Sequence, residues 1–273
     1  MSELIKALFA EPDPEESPRA RLARLTQAMQ ALPETFEPAL SHYRTTGLYG
    51  RRIYVPAGMC VATRVHLEPH LTVALAGECW VVDQEGRKAV VSAPAVFVTE
   101  PGTQRACWAQ TDVQWLTVHA ADIADVSSAM AVLTCGSFEE YEDRVDYQAV
   151  LTQYALTEPE ARAVSERSWD QSEGLPSGVS LRSSSRQGLG VFAVRAFQCH
   201  ECIGVARDRA MRTALGRYAN HGRSATMRFE AQEDGGLVAF AVRAVLPGEE
   251  LTVDYRQARE AADSADRCLG GTV

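Results

Sequence analysis

Between residues 43 and 120 the chain consists of short apolar runs broken by turns, with no segment among them that reads as a helix. This constrains the fold more than any other feature. Residues 52–55, 59–66, 70–75, 79–82, 90–91, 95–98 and 114–118 alternate or run apolar over strand-like lengths, and turn signals sit at Pro56-Ala57-Gly58, Gly77, Glu85-Gly86 and Pro101-Gly102. Short turns can join only antiparallel neighbours, because a parallel pair needs a crossover of a dozen or more residues. A small antiparallel barrel or sandwich is therefore expected over residues 41–120, since closure removes the exposed edges that so many strands would otherwise present.

The flanks read differently. Ser17 followed by Pro18 marks a helix start, and Leu22, Leu25, Met29 and Leu32 recur at three-to-four spacing until Pro33. With the shorter stripe Leu4, Ile5, Leu8 and Phe9, and an acidic proline-containing linker after it, this forms a helical arm over residues 1–40. Residues 121–175 read as a helical connector: Phe138, Tyr141, Val145 and Leu151 share a face, and Thr157 with Glu160 makes a capping box. A domain boundary is expected at residues 172–177, a second β domain over 176–260, and a disordered tail of small residues over 261–273.

The formal net charge of −9 is unevenly distributed. Residues 176–260 hold 12 arginines against nine acidic side chains, a balance of +3, so the remainder carries −12. A mildly basic module suits an acidic partner surface or an anionic cofactor group, but the excess is too small to support nucleic-acid binding. No apolar run approaches the roughly 18 residues of a membrane span, and the N-terminus lacks the pattern of a signal peptide. Seven cysteines at irregular spacing read as free thiols of a reducing compartment, and a cytoplasmic location is expected.

Three motifs follow in order in the second β domain: Gly188-Leu189-Gly190, Asn220-His221 directly after Tyr218-Ala219, and the run from Gly248 through Glu250 to Asp254-Tyr255. Together they resemble a SET domain. The resemblance implies a compact β-clip fold that binds S-adenosylmethionine and methylates a protein lysine. It assigns cofactor contacts to Gly188, Leu189, Gly190, Asn220 and His221, the leading catalytic role to Tyr255, and a second place on the lysine channel to Tyr218. It departs from the family pattern at Gly222, where serine is usual, and in the short stretch between Ile203 and Tyr218, where many members carry a long insert.

The order of strands and turns over residues 41–120 resembles the cupin family, particularly compact single-domain cupins of phage and bacteria, on Gly58, His66, His70, Gly77, Pro94 and Pro101-Gly102. That resemblance implies a divalent metal held inside the barrel, for which His66 and His70, with His119 ending a later strand, are the candidate ligands. It also implies a homo-oligomer joined through the barrel. If the chain is phage-encoded, host cytoplasm or a virion becomes its location. The fold expected is thus mainly β with flanking helices, a cupin-like antiparallel barrel followed by a SET-like β-clip domain. Two functions are carried forward: lysine methylation of a protein substrate with the barrel serving oligomerisation or presentation, and a non-catalytic structural or interaction role, plausibly in a phage, with an assembly partner.

Overall fold

The computed structural model describes residues 16–31, 36–167, 169–171 and 174–268. The stripe at Leu4 to Phe9, the acidic linker, Leu32 and Pro33 lie outside the described residues. The chain divides into two compact units, 1–141 and 142–273. The division falls inside a helix rather than near residue 175, because the first residues of that helix pack with the barrel. Gly102, at a positive φ, lies directly against the Tyr141 ring, and the Arg19 guanidinium sits 4.7 Å from the Phe138 ring.

In the first unit helix α1 (Pro18–Gln30) begins where the sequence places it: the Ser17 side chain accepts from the Ala20 N–H and proline occupies the first turn. Its buried Leu22 and Leu25 pack against Val82 and Ala106, covering one outer face of the barrel. The strands are β1 (Ala39–Thr45), β2 (Leu48–Val55), β3 (Cys60–Ala62), β4 (Val65–His66), β5 (His70–Ala76), β6 (Glu78–Asp83), β7 (Lys88–Ser92), β8 (Ala95–Thr99), β9 (Arg105–Ala109) and β10 (Val113–His119). They form a five-stranded sheet in the order β1-β2-β10-β5-β8 and a four-stranded sheet in the order β3-β9-β6-β7, with every pairing antiparallel. Alternate residues point inward: on β5, His70, Thr72 and Ala74 are buried and their neighbours Leu71 and Leu75 are exposed. A short helix α2 (Ala129–Leu133) leads into β11 (Thr134–Cys135), which pairs with β4.

Helix α3 (Phe138–Gln153) carries the chain into the second unit, where α4 (Glu158–Arg167) starts on the expected Thr157–Glu160 box. The Glu160 carboxylate accepts from the Thr157 N–H at 2.7 Å, and the Glu160 N–H donates to the Thr157 hydroxyl. There follow β12 (Val179–Ser183), β13 (Leu189–Ala193), β14 (Cys202–Asp208), β15 (Met211–Arg212), the helical turn α5 (Ala214–Tyr218), β16 (Asn220–His221), β17 (Met227–Ala231), β18 (Leu237–Ala241) and β19 (Thr252–Val253). Strands β12 and β13 form a hairpin, β15-β14-β18-β17 make an antiparallel sheet, and β16 lies parallel to β19 with Asn220 opposite Thr252. Val191, Phe197, Leu215, Met227, Leu251 and Val253 are almost wholly buried in one core at the centre of these pieces.

The chain end differs from expectation. Residues 255–268 form helix α6 (Tyr255–Cys268), so the disordered tail expected from residue 261 is helical through 268, and 269–273 lie outside the described residues. Ala261 and Ala265, four apart, sink into the core, and Gln257 both accepts from the Phe229 N–H and donates to the Phe229 carbonyl on β17. Small side chains give a weak hydrophobic signal, yet they let a helix lie close to a sheet. Among the described residues no helix is long and apolar enough to cross a membrane.

Candidate functional site

A cavity of the second unit has a volume of about 490 Å³, and Gly188, Leu189, Tyr218, Asn220 and Tyr255 all line it. Five of the seven residues picked out there by motif thus share one space, together with Tyr147, Phe229, Arg207, Arg212 and Arg217. Gly190 and His221 are not on its wall. Both stand behind it and hold lining residues in place.

The Asn220 side chain, 7% exposed, uses its amide nitrogen on the Gln187 and Leu189 carbonyls, each at 3.2 Å, and on Glu250 Oε1 at 2.8 Å. It therefore clasps the glycine loop from below. Glu250 is fixed in turn by the Ser184 hydroxyl at 3.0 Å and by Arg186 at 3.6 Å. Gly190 is needed for this approach: a Cβ there would lie 2.2 Å from Glu250 Oε1 and 3.0 Å from the Asn220 amide nitrogen. Gly222 has a comparable cause, since a Cβ would meet Thr252 Oγ1 at 2.6 Å, so the serine usual in the family has no room in this chain.

His221 is 5% exposed and braces Tyr255. Its Nδ1 accepts the Tyr255 N–H at 3.2 Å, and its Nε2 lies 2.9 Å from the Asp146 carboxylate. A backbone N–H can only donate, so the ring proton belongs on Nε2, where it points at Asp146. Asp146 also takes a two-pronged contact from Arg256, at 2.9 and 3.0 Å. Hydrogen bonding from Arg256 holds the Asp146 carboxyl below its ordinary range.

The Tyr255 hydroxyl donates to the Ala219 carbonyl at 3.1 Å, and the ring meets Tyr147 and His221 edge-on at 5.9 and 5.3 Å. Burial, with a smaller contribution from the Tyr147 phenol, pushes the Tyr255 phenol up to about 12. It stays protonated at neutral pH. Tyr218 meets Trp169 edge-on at 5.3 Å, with the Arg217 guanidinium over both rings. Of the five lining arginines, Arg162 pairs with Glu158, Arg207 with Asp266, Arg217 with Glu166 and Arg259 with Asp263. Arg212 forms no ion pair among the described residues, and burial lowers its pKa. One uncompensated positive charge therefore faces the cavity.

Sequence reasoning missed Asp146, Tyr147 and Arg212, because two lie on a helix outside the motifs and nothing distinguishes Arg212 from its many neighbouring arginines. Glu250 stood within the quoted motif, but its grip on Asn220 depends on the parallel β16–β19 contact, which spacing does not show.

In the first unit the three candidate histidines do come together. The His66 ring centroid lies 4.4 Å from His70 and 6.3 Å from His119, and His70 lies 4.2 Å from His119. The His70–His119 and His66–His119 rings are stacked, with interplanar angles of 27° and 26°, and the His66–His70 rings are tilted at 48°. Among the described residues no group of three or more His, Cys, Asp or Glu side chains is arranged to hold a metal ion. The donor set does not fit the divalent metal expected from His66, His70 and His119.

These features define a mainly β protein with a double-sheet barrel and a second β unit whose motif residues line a shared cavity. The family model for the SET domain matches residues 150–256, which include every motif residue of the cavity. No curated protein matches the chain. Among solved structures it is similar to a cupin 2 conserved barrel domain protein from Salinispora arenicola CNS-205 (18% identity, 30% of this chain and 73% of that one, TM-score 0.27). It is similar also to a cupin superfamily protein from Desulfitobacterium hafniense DCB-2 (14%, 41% and 94%, TM-score 0.28). A third is an uncharacterized conserved protein with a double-stranded β-helix domain from Klebsiella pneumoniae (19%, 34% and 85%, TM-score 0.30). Scores this low carry no functional weight, and the barrel is defined by its own strand pairing.

Proposed function

We propose that the second unit is an S-adenosylmethionine-dependent methyltransferase acting on a protein lysine. The observation that carries this is a single cavity lined at once by the glycine loop, Asn220, Tyr218 and Tyr255, inside the region matched by the SET family model. Its volume of about 490 Å³ lies in the range of cofactor sites, roughly 300–1,000 Å³.

S-adenosylmethionine, when bound, supplies an electrophilic methyl group on a sulfonium. Gly188 and Leu189 at the cavity wall, and the loop carbonyls clasped by Asn220, would hold it, and Arg212 offers the positive charge that suits its carboxylate. An attacking amine must be neutral and in line with the methyl group. Arg212, the lining arginine without an ion pair among the described residues, disfavours a second cation beside it, which eases loss of the amine proton. The Tyr255 hydroxyl, fixed by Ala219, and the half-buried Tyr218 ring wall the path along which the amine approaches.

Calorimetric titration of S-adenosylmethionine into the full chain tests this directly. Saturable binding that is lost in Asn220→Ala, with the fold intact by circular dichroism, is the expected result. A folded wild-type protein that takes up no cofactor would refute it.

The barrel is proposed to join copies of the chain. On the outer face of its five-stranded sheet Leu71, Leu75, Val96 and Val98 are exposed side by side on β5 and β8, an apolar patch that a second copy of the same face can cover. A protein that runs as a monomer in sedimentation at micromolar concentration would contradict that role.

A further inference from the structure

The inside of the barrel is divided along its length. At one end Val55, Cys79, Val81, Cys107 and Val113 form a dry core. The other end is polar. Arg51 on β2 stands opposite Thr117 on β10, Thr117 opposite Thr72 on β5, and His70 opposite Thr99 on β8. The Thr72 and Thr99 hydroxyls meet at 2.8 Å, and Arg105 Nη1 donates to Thr99 Oγ1 at 2.9 Å. Both guanidiniums act on His66 and His70, so the arginines and the stacked histidines share one site.

Nothing in this site balances the arginines. Neither Arg51 nor Arg105 forms an ion pair among the described residues. Arg51 reaches only the Met130 thioether, a weak acceptor, and Arg105 lies 5.4 Å from the Phe97 ring centroid. Asp83 is the acid whose charge reaches Arg105, and it is held by Arg87 at 2.7 Å and by the backbone N–H groups of Glu85 and Arg87. Meanwhile Nδ1 of His66 and Nδ1 of His119, on side chains 5% and 3% exposed, have no hydrogen-bond partner. A neutral imidazole carries one N–H, so each ring can offer one hydrogen bond to a bound group. Half-buried cations without a counter-ion, beside buried imidazole nitrogens without a partner, are costly unless something completes them.

We infer that the polar half of the barrel is a binding site for a small oxyanion, a carboxylate or phosphate group, held by Arg51 and Arg105 with His66 and His119 as hydrogen-bond donors. A guanidinium presents its N–H groups in a fork that matches either anion in two-pronged fashion. The same positive charges oppose a divalent cation, in keeping with the stacked rings. The site lies wholly in residues 51–130 and does not depend on methyl transfer in the second unit.

The test is calorimetry on the full-length, metal-analysed protein in a low-anion buffer, with inorganic phosphate and oxalate titrated separately. Saturable binding of either is expected, and the one that binds more tightly identifies the class. Arg105→Gln and Arg51→Gln should each raise Kd at least tenfold while circular dichroism is unchanged, and Arg105→Lys should recover part of the loss. Histidine-ring 1H–15N spectra of the wild-type protein read the site without any variant: the bound anion should shift the His66 and His119 signals and leave His221 in place. Absence of binding by both anions, binding changed less than twofold in both glutamine variants, or a stoichiometric metal that disappears in His66→Ala would overturn the inference.

Discussion

Replacing Asp146 by alanine separates the bracing of the site from its lining. The Asp146 carboxylate meets two Arg256 nitrogens at 2.9 and 3.0 Å and His221 Nε2 at 2.9 Å. Arg256 is not stranded by the change, since it keeps Gln153 at 3.0 Å and Asp254 at 3.7 Å, and its side chain is 30% exposed. Its share of the loss is therefore small, about 0.5 kcal/mol. His221 has no such alternative: its side chain is 3% exposed, and a buried donor left without an acceptor costs about 1–3 kcal/mol. Asp146→Ala should then destabilise the second unit by about 1.5–3.5 kcal/mol at pH 7, whereas Asp146→Asn, which can still offer His221 an oxygen, should cost only about 1 kcal/mol.

The pH dependence fixes the sign. Arg256 depresses the folded-state pKa of Asp146, so the carboxylate's contribution is fully present above its unfolded value, near pH 4, and is lost as pH falls through the folded value. The gap between wild type and Asp146→Asn should accordingly narrow below about pH 4. Urea unfolding followed at pH 7 and pH 3, with the transition of the second unit resolved from that of the barrel, measures both quantities. Equal losses for alanine and asparagine, or a gap that does not change with pH, would refute the assignment of His221 as the dependent partner.

Other consequences can be checked with less work. Tyr255→Phe removes one hydroxyl bonded to the Ala219 carbonyl, so stability should fall by about 1 kcal/mol while methyl transfer, measured under saturating cofactor, falls about 10- to 100-fold. Gly222→Ser should destabilise by about 1–3 kcal/mol in thermal unfolding, because its Cβ would meet Thr252 Oγ1 at 2.6 Å. Phe197→Ala, at a fully buried position, should cost about 3–5 kcal/mol in urea unfolding. In the barrel, burial lowers the pKa values of His66 and His119, so the unfolded chain binds protons first. Stability should drop as pH falls below about 6.5, and the drop should be shallower in His119→Gln.

Much of this arrangement is visible in the chain before any coordinates. Alternation along residues 70–75 separates the inward His70 and Thr72 from the outward Leu71, and Ser17-Pro18 and Thr157 mark helix starts through local hydrogen bonds that depend on neighbours in sequence. The glycine loop, Asn220 and Tyr255 could be picked out because three motifs in order resemble a SET domain. What could not be read depends on contacts distant in sequence. His221 looks like a ligand residue in the motif but faces Asp146, 75 positions earlier. The helix over 255–268 was hidden because alanines at 261 and 265 bury little area each. The three barrel histidines lie close together, but His66 and His70 stand on two different strands, β4 and β5, rather than four apart on one, a break that spacing alone does not show.

The most direct test of the central claim is transfer itself. The full-length protein is incubated with methyl-labelled S-adenosylmethionine and lysate proteins, followed by acid hydrolysis and amino-acid analysis, with Tyr255→Phe in parallel. Label recovered as methyllysine, and reduced at least tenfold in the variant while cofactor binding persists, is the predicted result. Wild-type protein that binds the cofactor but leaves no label on lysine, or label undiminished in Tyr255→Phe, would contradict it.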